Sequence, residues 1–151
     1  NLMNISLIKL LAMMSVFIGV LSGFLTALPF IGGWIFFILV CGSAIIEMST
    51  LMKVGVLTLD SIHESAVIGG IIGFLSFIAF SIVYMPLALI LLKVFNYHTN
   101  YGVALALNNS NLWIIIFVSL FLAVLSATVN AFTGFLTYYV SELIKDLNKR
   151  Q

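Results

Sequence analysis

Trp34 to Lys53 reads WIFFILVCGSAIIEMSTLMK, a run of twenty residues with one acidic side chain, Glu47, and no other charge before Lys53. At a rise of about 1.5 Å per residue, twenty helical residues span about 30 Å, the thickness of a bilayer's hydrocarbon core. A run of that length fits a membrane crossing. The rest of the chain repeats the pattern.

Of 151 residues, 63% are hydrophobic and 7% charged, and the mean hydropathy is +1.27. Soluble domains carry about 25% charged residues, and a water-soluble fold of this length has too little interior to hide so much apolar surface. The expected fold is an all-α membrane protein, a bundle of four transmembrane helices. At ~20 residues per crossing, the length leaves no room for a soluble catalytic domain. The net charge of +1 gives no basis for a nucleic-acid partner. The single cysteine, Cys41, falls inside a crossing, so neither an internal disulfide nor a cysteine-based metal site is expected.

The first helix is expected at about 10–28. Its apolar run, Leu10 to Phe30, exceeds the ~7–15 residues of a signal-peptide core and shows no A-x-A cleavage pattern. It is read as a retained crossing. Pro29 and Gly32-Gly33 mark a tight hairpin into a second helix at 34–53. Gly55 and Thr58 to Ser61 mark its exit. Ser61-Ile-His-Glu64 fits the capping box S-x-x-E at the start of a third helix. That helix is expected at 62–85, kinked at Pro86 and extended to 94. An exposed loop is expected at 96–111, a fourth helix at 112–139, and an amphipathic tail at 140–151 with Val140, Leu143, Ile144 and Leu147 on one face.

Orientation follows from the cations. Lys9, Lys53, Lys145, Lys149 and Arg150 fall on the side of the termini, and Lys93 on the other. The positive-inside rule then predicts both termini in the cytoplasm of a cell bearing this multi-pass protein in its plasma membrane. Trp34 and Trp113, both at helix starts on the opposite side, agree as interfacial anchors.

Helices in lipid associate through small residues and interhelical hydrogen bonds. Gly19 and Gly23 on helix one form a G-x-x-x-G on a stripe with Ser15 and Thr26. Gly69 and Gly73 form another on helix three, and helix four carries Ser126 and Asn130 on a similar stripe. Close packing of the bundle is the first reading of these stripes. The sharper one makes a stripe an interface with a partner or with a second copy.

Glu47 is an intramembrane ionisable residue, by default a functional candidate. It lies about 9 Å from Lys53 along the axis at about 1.5 Å per residue. Ser43, Glu47 and Thr50 are spaced to share a helix face, and Asn130 is expected at similar depth as the partner of Glu47. Against a transport path stands the lack of any relay in Trp34 to Val40. A structural hydrogen bond, or snorkelling to the interface, is therefore the leading reading of Glu47.

Asp60, His63 and Glu64 are metal-ligand types in one local stretch, better explained by capping and solvation. His98 falls in the exposed loop. No metal or other cofactor is expected. The Gly69-Gly70-Ile-Ile-Gly73 run follows no strand, so it is no phosphate loop. No nucleophile–base pair is visible, and the chain is not expected to be an enzyme. The expected function is that of an accessory or structural subunit, or a self-associating component, working through helix–helix contacts with other membrane subunits or copies of itself. The alternative is a small oligomeric transporter or channel using Glu47 with Ser43, Thr50 and Asn130. A lipid-directed enzyme built on Asp60, His63 and Glu64 ranks last.

Overall fold

The computed structural model describes residues 5–28, 30–97 and 111–151. Four helices carry the fold: α1 (Ile5–Leu25), α2 (Gly32–Val54), α3 (Ile62–Val94) and α4 (Leu112–Lys149). Each is long and apolar enough to cross a membrane. The expected segments Asn1 to Asn4, Pro29 and most of the 96–111 loop, His98 included, lie outside the described residues.

Local chemistry sets the ends. The final bonds of α1 tighten from Thr26 N–H donating to Ser22 C=O into three-residue reaches at Ala27 and Leu28. The chain then reverses so closely that a Cβ on Gly32 would sit 2.3 Å from the Thr26 carbonyl oxygen. Glycine is required there, whereas Gly33 has open space around it. At the other end of α2, Gly55 takes the left-handed conformation (φ 89°). Its N–H and that of Val56 both reach back to the Leu51 carbonyl, which satisfies the last carbonyls of the helix.

The capping box at α3 forms with one change. Ser61 Oγ accepts from Glu64 N–H at 3.1 Å, but Glu64 reaches back to the N–H of Asp60, at 3.4 Å, instead of that of Ser61. Glu64 is 3% exposed as a result. Asn111 caps α4 by accepting from Ile114 N–H at 3.0 Å.

Helix α3 has its expected span of 62 to 94, whereas the bounds of α1 (expected 10–28), α2 (expected 34–53) and α4 (expected 112–139) differ. Helix α1 begins at Ile5 and takes in Lys9, whose long stem lets its charge reach the interface while its backbone stays helical. Helix α3 runs unbroken through Pro86 to Val94. Beyond the proline, Ala88 and Leu92 are buried, so packing supports the helix onward to Val94, and membrane helices tolerate proline where neighbours re-satisfy the freed carbonyl. Helix α4 does not stop at Tyr139. It continues to Lys149 as one 38-residue helix, with no glycine or proline after Gly134 to end it.

Helix α3 lies at the centre. It packs most extensively against α4 and next against α1. Gly19 meets Ser76 and Phe80, and Gly23 meets Phe80 and Val83, so α1 and α3 run parallel. Gly69 meets Asn130 and Gly134, and Gly73 meets Ser126 and Asn130, so α3 and α4 run antiparallel. Both termini therefore lie at one end of the bundle.

The core has two apolar clusters. Leu11, Met48, Leu51, Ile68 and Ile72 form one toward the terminal end. Leu39, Phe77, Phe80, Tyr84 and Ala88 form the other, with Phe80 and Tyr84 stacked at 5.0 Å. Fully buried polar side chains collect where the clusters meet.

Candidate functional site: a buried polar layer

Helices α2 and α4 are joined through Asn130, which is 0% exposed. Its Oδ1 accepts from Ala44 N–H at 2.9 Å. Its Nδ2 donates to the Val40 carbonyl at 2.7 Å and to the Ser126 carbonyl at 2.9 Å. Val40 C=O and Ala44 N–H are the pair that an α-helix closes on itself. One carboxamide from α4 thus takes both members of an α2 ladder pair. An amide offers the acceptor together with two donor hydrogens, which here serve Val40 and Ser126 at once.

The α3 side of this layer is glycine. A Cβ on Gly73 would stand 2.6 Å from Asn130 Cβ and 2.6 Å from the Ser126 carbonyl. That closeness lets Ser126 Oγ donate to the Gly73 carbonyl at 3.1 Å, a carbonyl that Ser76 Oγ also approaches at 3.2 Å.

Glu47 lies about one turn nearer the terminal end. It is 0% exposed, and its partner is on α1: Ser15 Oγ lies 2.9 Å from Glu47 Oε2. The other carboxyl oxygen, Oε1, is buried without a hydrogen-bond partner. The expected contact between Glu47 and Asn130 is thus replaced by two separate ones, Asn130 to the α2 backbone and Glu47 to Ser15. The reason is rotational. Glu47 turns toward α1 while the backbone one turn earlier, at Val40 and Ala44, faces α4.

Ser43 is fully buried, as expected, and its hydroxyl donates to the Leu39 carbonyl. Thr50 does not join the group. It is exposed and bonds back to the Ile46 carbonyl at 2.7 Å. The buried face drifts around α2 as it crosses its neighbours, from Leu39 and Ser43 through Glu47 to Met48 and Leu51, and Thr50 is left on the flank. Ser15 was legible as a small residue of the α1 stripe. Nothing in the sequence marked its hydroxyl as the partner of Glu47.

The stripes are all used inside the chain. A Cβ on Gly19 would fall 2.2 Å from the Ser76 carbonyl oxygen, and one on Gly69 2.3 Å from that of Asn130. Asp60 and His63 are exposed while Glu64 turns inward. Among the described residues no three His, Cys, Asp or Glu side chains gather as a metal site.

One groove opens on the flank between α2 and α4, about 440 Å³ in volume, with Ile45, Met52, Thr133, Leu136 and Ile144 among its lining. The fold and its polar layer define a class, a four-helix bundle of membrane-spanning dimensions held by glycine contacts and buried amide and hydroxyl bonds. No family model, no curated protein and no solved structure matches the chain.

Proposed function

We propose that the protein is a non-catalytic component of a membrane assembly, an accessory or self-associating subunit whose contact surface is the terminal end of α4. The observation that carries this reading is the length of that helix. Its 38 residues extend about 57 Å at about 1.5 Å per residue, well beyond the ~30 Å hydrocarbon core. Past Tyr139, Val140, Leu143, Ile144 and Leu147 remain about half exposed on one face. Because the G-x-x-x-G stripes are engaged within the bundle, a helical partner has to use another surface, and this apolar face continues from the groove beside α2.

The partner is taken to be a helix of another membrane subunit. The reading places both termini in the cytoplasm, supported by Lys9, Lys53, Lys145, Lys149 and Arg150 at one end of the bundle against Lys93 at the other. The plasma membrane is the proposed location. Surrounding lipid completes the list of partners.

The test is the native mass and composition of the full chain isolated in mild detergent, compared with the Ile144→Asp/Leu147→Asp double variant. Burying each of these side chains contributes about 1.5–3 kcal/mol, so the variant is expected to lose its partner or its second copy by a factor of at least about 100 in affinity. A wild-type chain that is isolated as a lone monomer, indistinguishable from the variant, refutes the reading.

A second reading rests on Glu47, a carboxyl group buried inside the bundle with one oxygen unpaired. Buried intramembrane carboxyls mark transport paths in many membrane proteins. A small oligomeric transporter or channel predicts ion or proton flux in proteoliposomes that Glu47→Gln abolishes with assembly intact. The accessory reading predicts no flux for either chain.

A further inference from the structure

The hydrogen count around Ser15 reveals more than the pairing of two side chains. Ser15 Oγ lies 2.8 Å from the Leu11 carbonyl oxygen and 2.9 Å from Glu47 Oε2. A serine hydroxyl has a single hydrogen to donate, and the Leu11 carbonyl has none. If Glu47 were a carboxylate, two acceptors would share that one hydrogen in a three-centre bond, each held more weakly than by a hydrogen of its own. Two full hydrogen bonds at these distances need a second hydrogen, and of the three groups only Glu47 can supply it.

We propose that Glu47 and Ser15 form a one-proton binding site. Glu47 is held as the neutral acid, with its Oε2–H donating to Ser15 Oγ and Ser15 donating in turn to the Leu11 carbonyl. The chain of bonds runs from α2 to the backbone of α1 and is complete only with the proton in place.

The surroundings agree. Both side chains are 0% exposed. The unpaired Oε1 is then the carbonyl oxygen of a neutral acid and not half of a buried anion, which is the far more costly group to leave without partners. Among the described residues no cation stands in for the proton. Lys9 on α1, Cys41 and Lys53 on α2, and Tyr138 and Glu142 on α4 make no hydrogen bond or ion pair with Glu47, and Glu64 on α3 is turned to the Asp60 N–H.

The consequence is a proton-dependent tie between α1 and α2, which are joined less extensively than either is to α3 and α4 taken together. Loss of the proton leaves Ser15 with one hydrogen for two acceptors, and the α2 contact, its bond to Leu11 or both are weakened. The inference is independent of the assembly reading, since it concerns only the inside of one bundle.

The test is an infrared difference spectrum, wild type minus Glu47→Gln, recorded on the full chain in lipid bilayers at neutral pH. A carbonyl band of a protonated carboxylic acid is expected, moving down in deuterium oxide and displaced in frequency by Ser15→Ala, which removes the acceptor of the acid's hydrogen. Carboxylate stretches in the difference spectrum, with no acid band, overturn the site. An acid band that Ser15→Ala leaves unmoved overturns the tie to α1. Should Glu47→Gln not fold, the side-chain carboxyl 13C resonance of Glu47 in the wild-type chain decides the matter, an acid shift supporting the site and a carboxylate shift refuting it.

Discussion

Gly69→Ala is expected to unseat α4 from α3, although it adds a single methyl group. The methyl carbon would sit 2.3 Å from the carbonyl oxygen of Asn130, 3.1 Å from its carbonyl carbon and 3.2 Å from the Cα of Gly134. All three are backbone atoms, so no side chain can swing aside, and relief requires the helices to separate or slide. Overpacking that side chains can absorb costs about 1–3 kcal/mol. The rigid contact here places the effect at or above the top of that range, about a hundredfold or more in the folding equilibrium.

Separation also lengthens the Ser126 to Gly73 bond, which depends on the same close approach. Gly33→Ala is the matched control. It has no atom within 4 Å of the new methyl and lies in the first turn of α2, so its stability is expected to equal or slightly exceed that of wild type. Denaturant titration of both variants in detergent is the measurement. Equal stability of Gly69→Ala and wild type would show that α3 and α4 are not held at glycine distance.

The number of crossings was legible because lipid leaves the backbone few alternatives. An apolar run of about 20 residues has to be a closed helix in lipid, so hydropathy alone marked all four. The end of α4 and the continuity of α3 at Pro86 were harder to read. Pro86 breaks helices in water, where a freed carbonyl is readily solvated, but here Ala88 and Leu92 pack onward and the helix continues. The glycine stripes announced close contacts without saying whose. Gly19 and Gly23 would serve an interface with a second copy just as well, and only the three-dimensional arrangement shows them against Ser76, Phe80 and Val83.

The polar layer shows the same division. Depth along a helix follows from counting residues, and Glu47 and Asn130 do lie about one turn apart. Rotation about the helix axis does not follow from counting. A fraction of a turn decides whether Glu47 meets α4 or α1, and that fraction is fixed by packing across the whole crossing. Ser15, the residue Glu47 actually meets, offered no sequence feature that separates a packing serine from a bonding one.

Asn130→Asp is expected to be more damaging than Asn130→Ala, the reverse of what similarity of shape suggests. In the alanine variant the two α2 groups that Asn130 holds, Val40 C=O and Ala44 N–H, are an i, i+4 pair and can close on each other. What is lost is the interhelical bonding, about 0.6 kcal/mol on average and up to about 1.7 kcal/mol in membrane helices, together with some packing volume. Aspartate keeps the shape and the acceptor for Ala44 N–H but loses both hydrogens of Nδ2. As an anion it would press a fully buried charge against the Val40 and Ser126 carbonyl oxygens, which stand 2.7 and 2.9 Å from Nδ2. As a neutral acid it could donate to only one of them. Either form forfeits at least one of the two donor bonds, and the charged form leaves a buried charge without a partner, a change that costs about 3–5 kcal/mol in folded proteins. The order wild type, then Ala, then Asp in denaturant midpoint would therefore assign the α2–α4 seam to the two Nδ2 donor bonds. If Asp instead matches wild type, those bonds contribute nothing measurable, and the seam rests on glycine contacts and apolar packing alone.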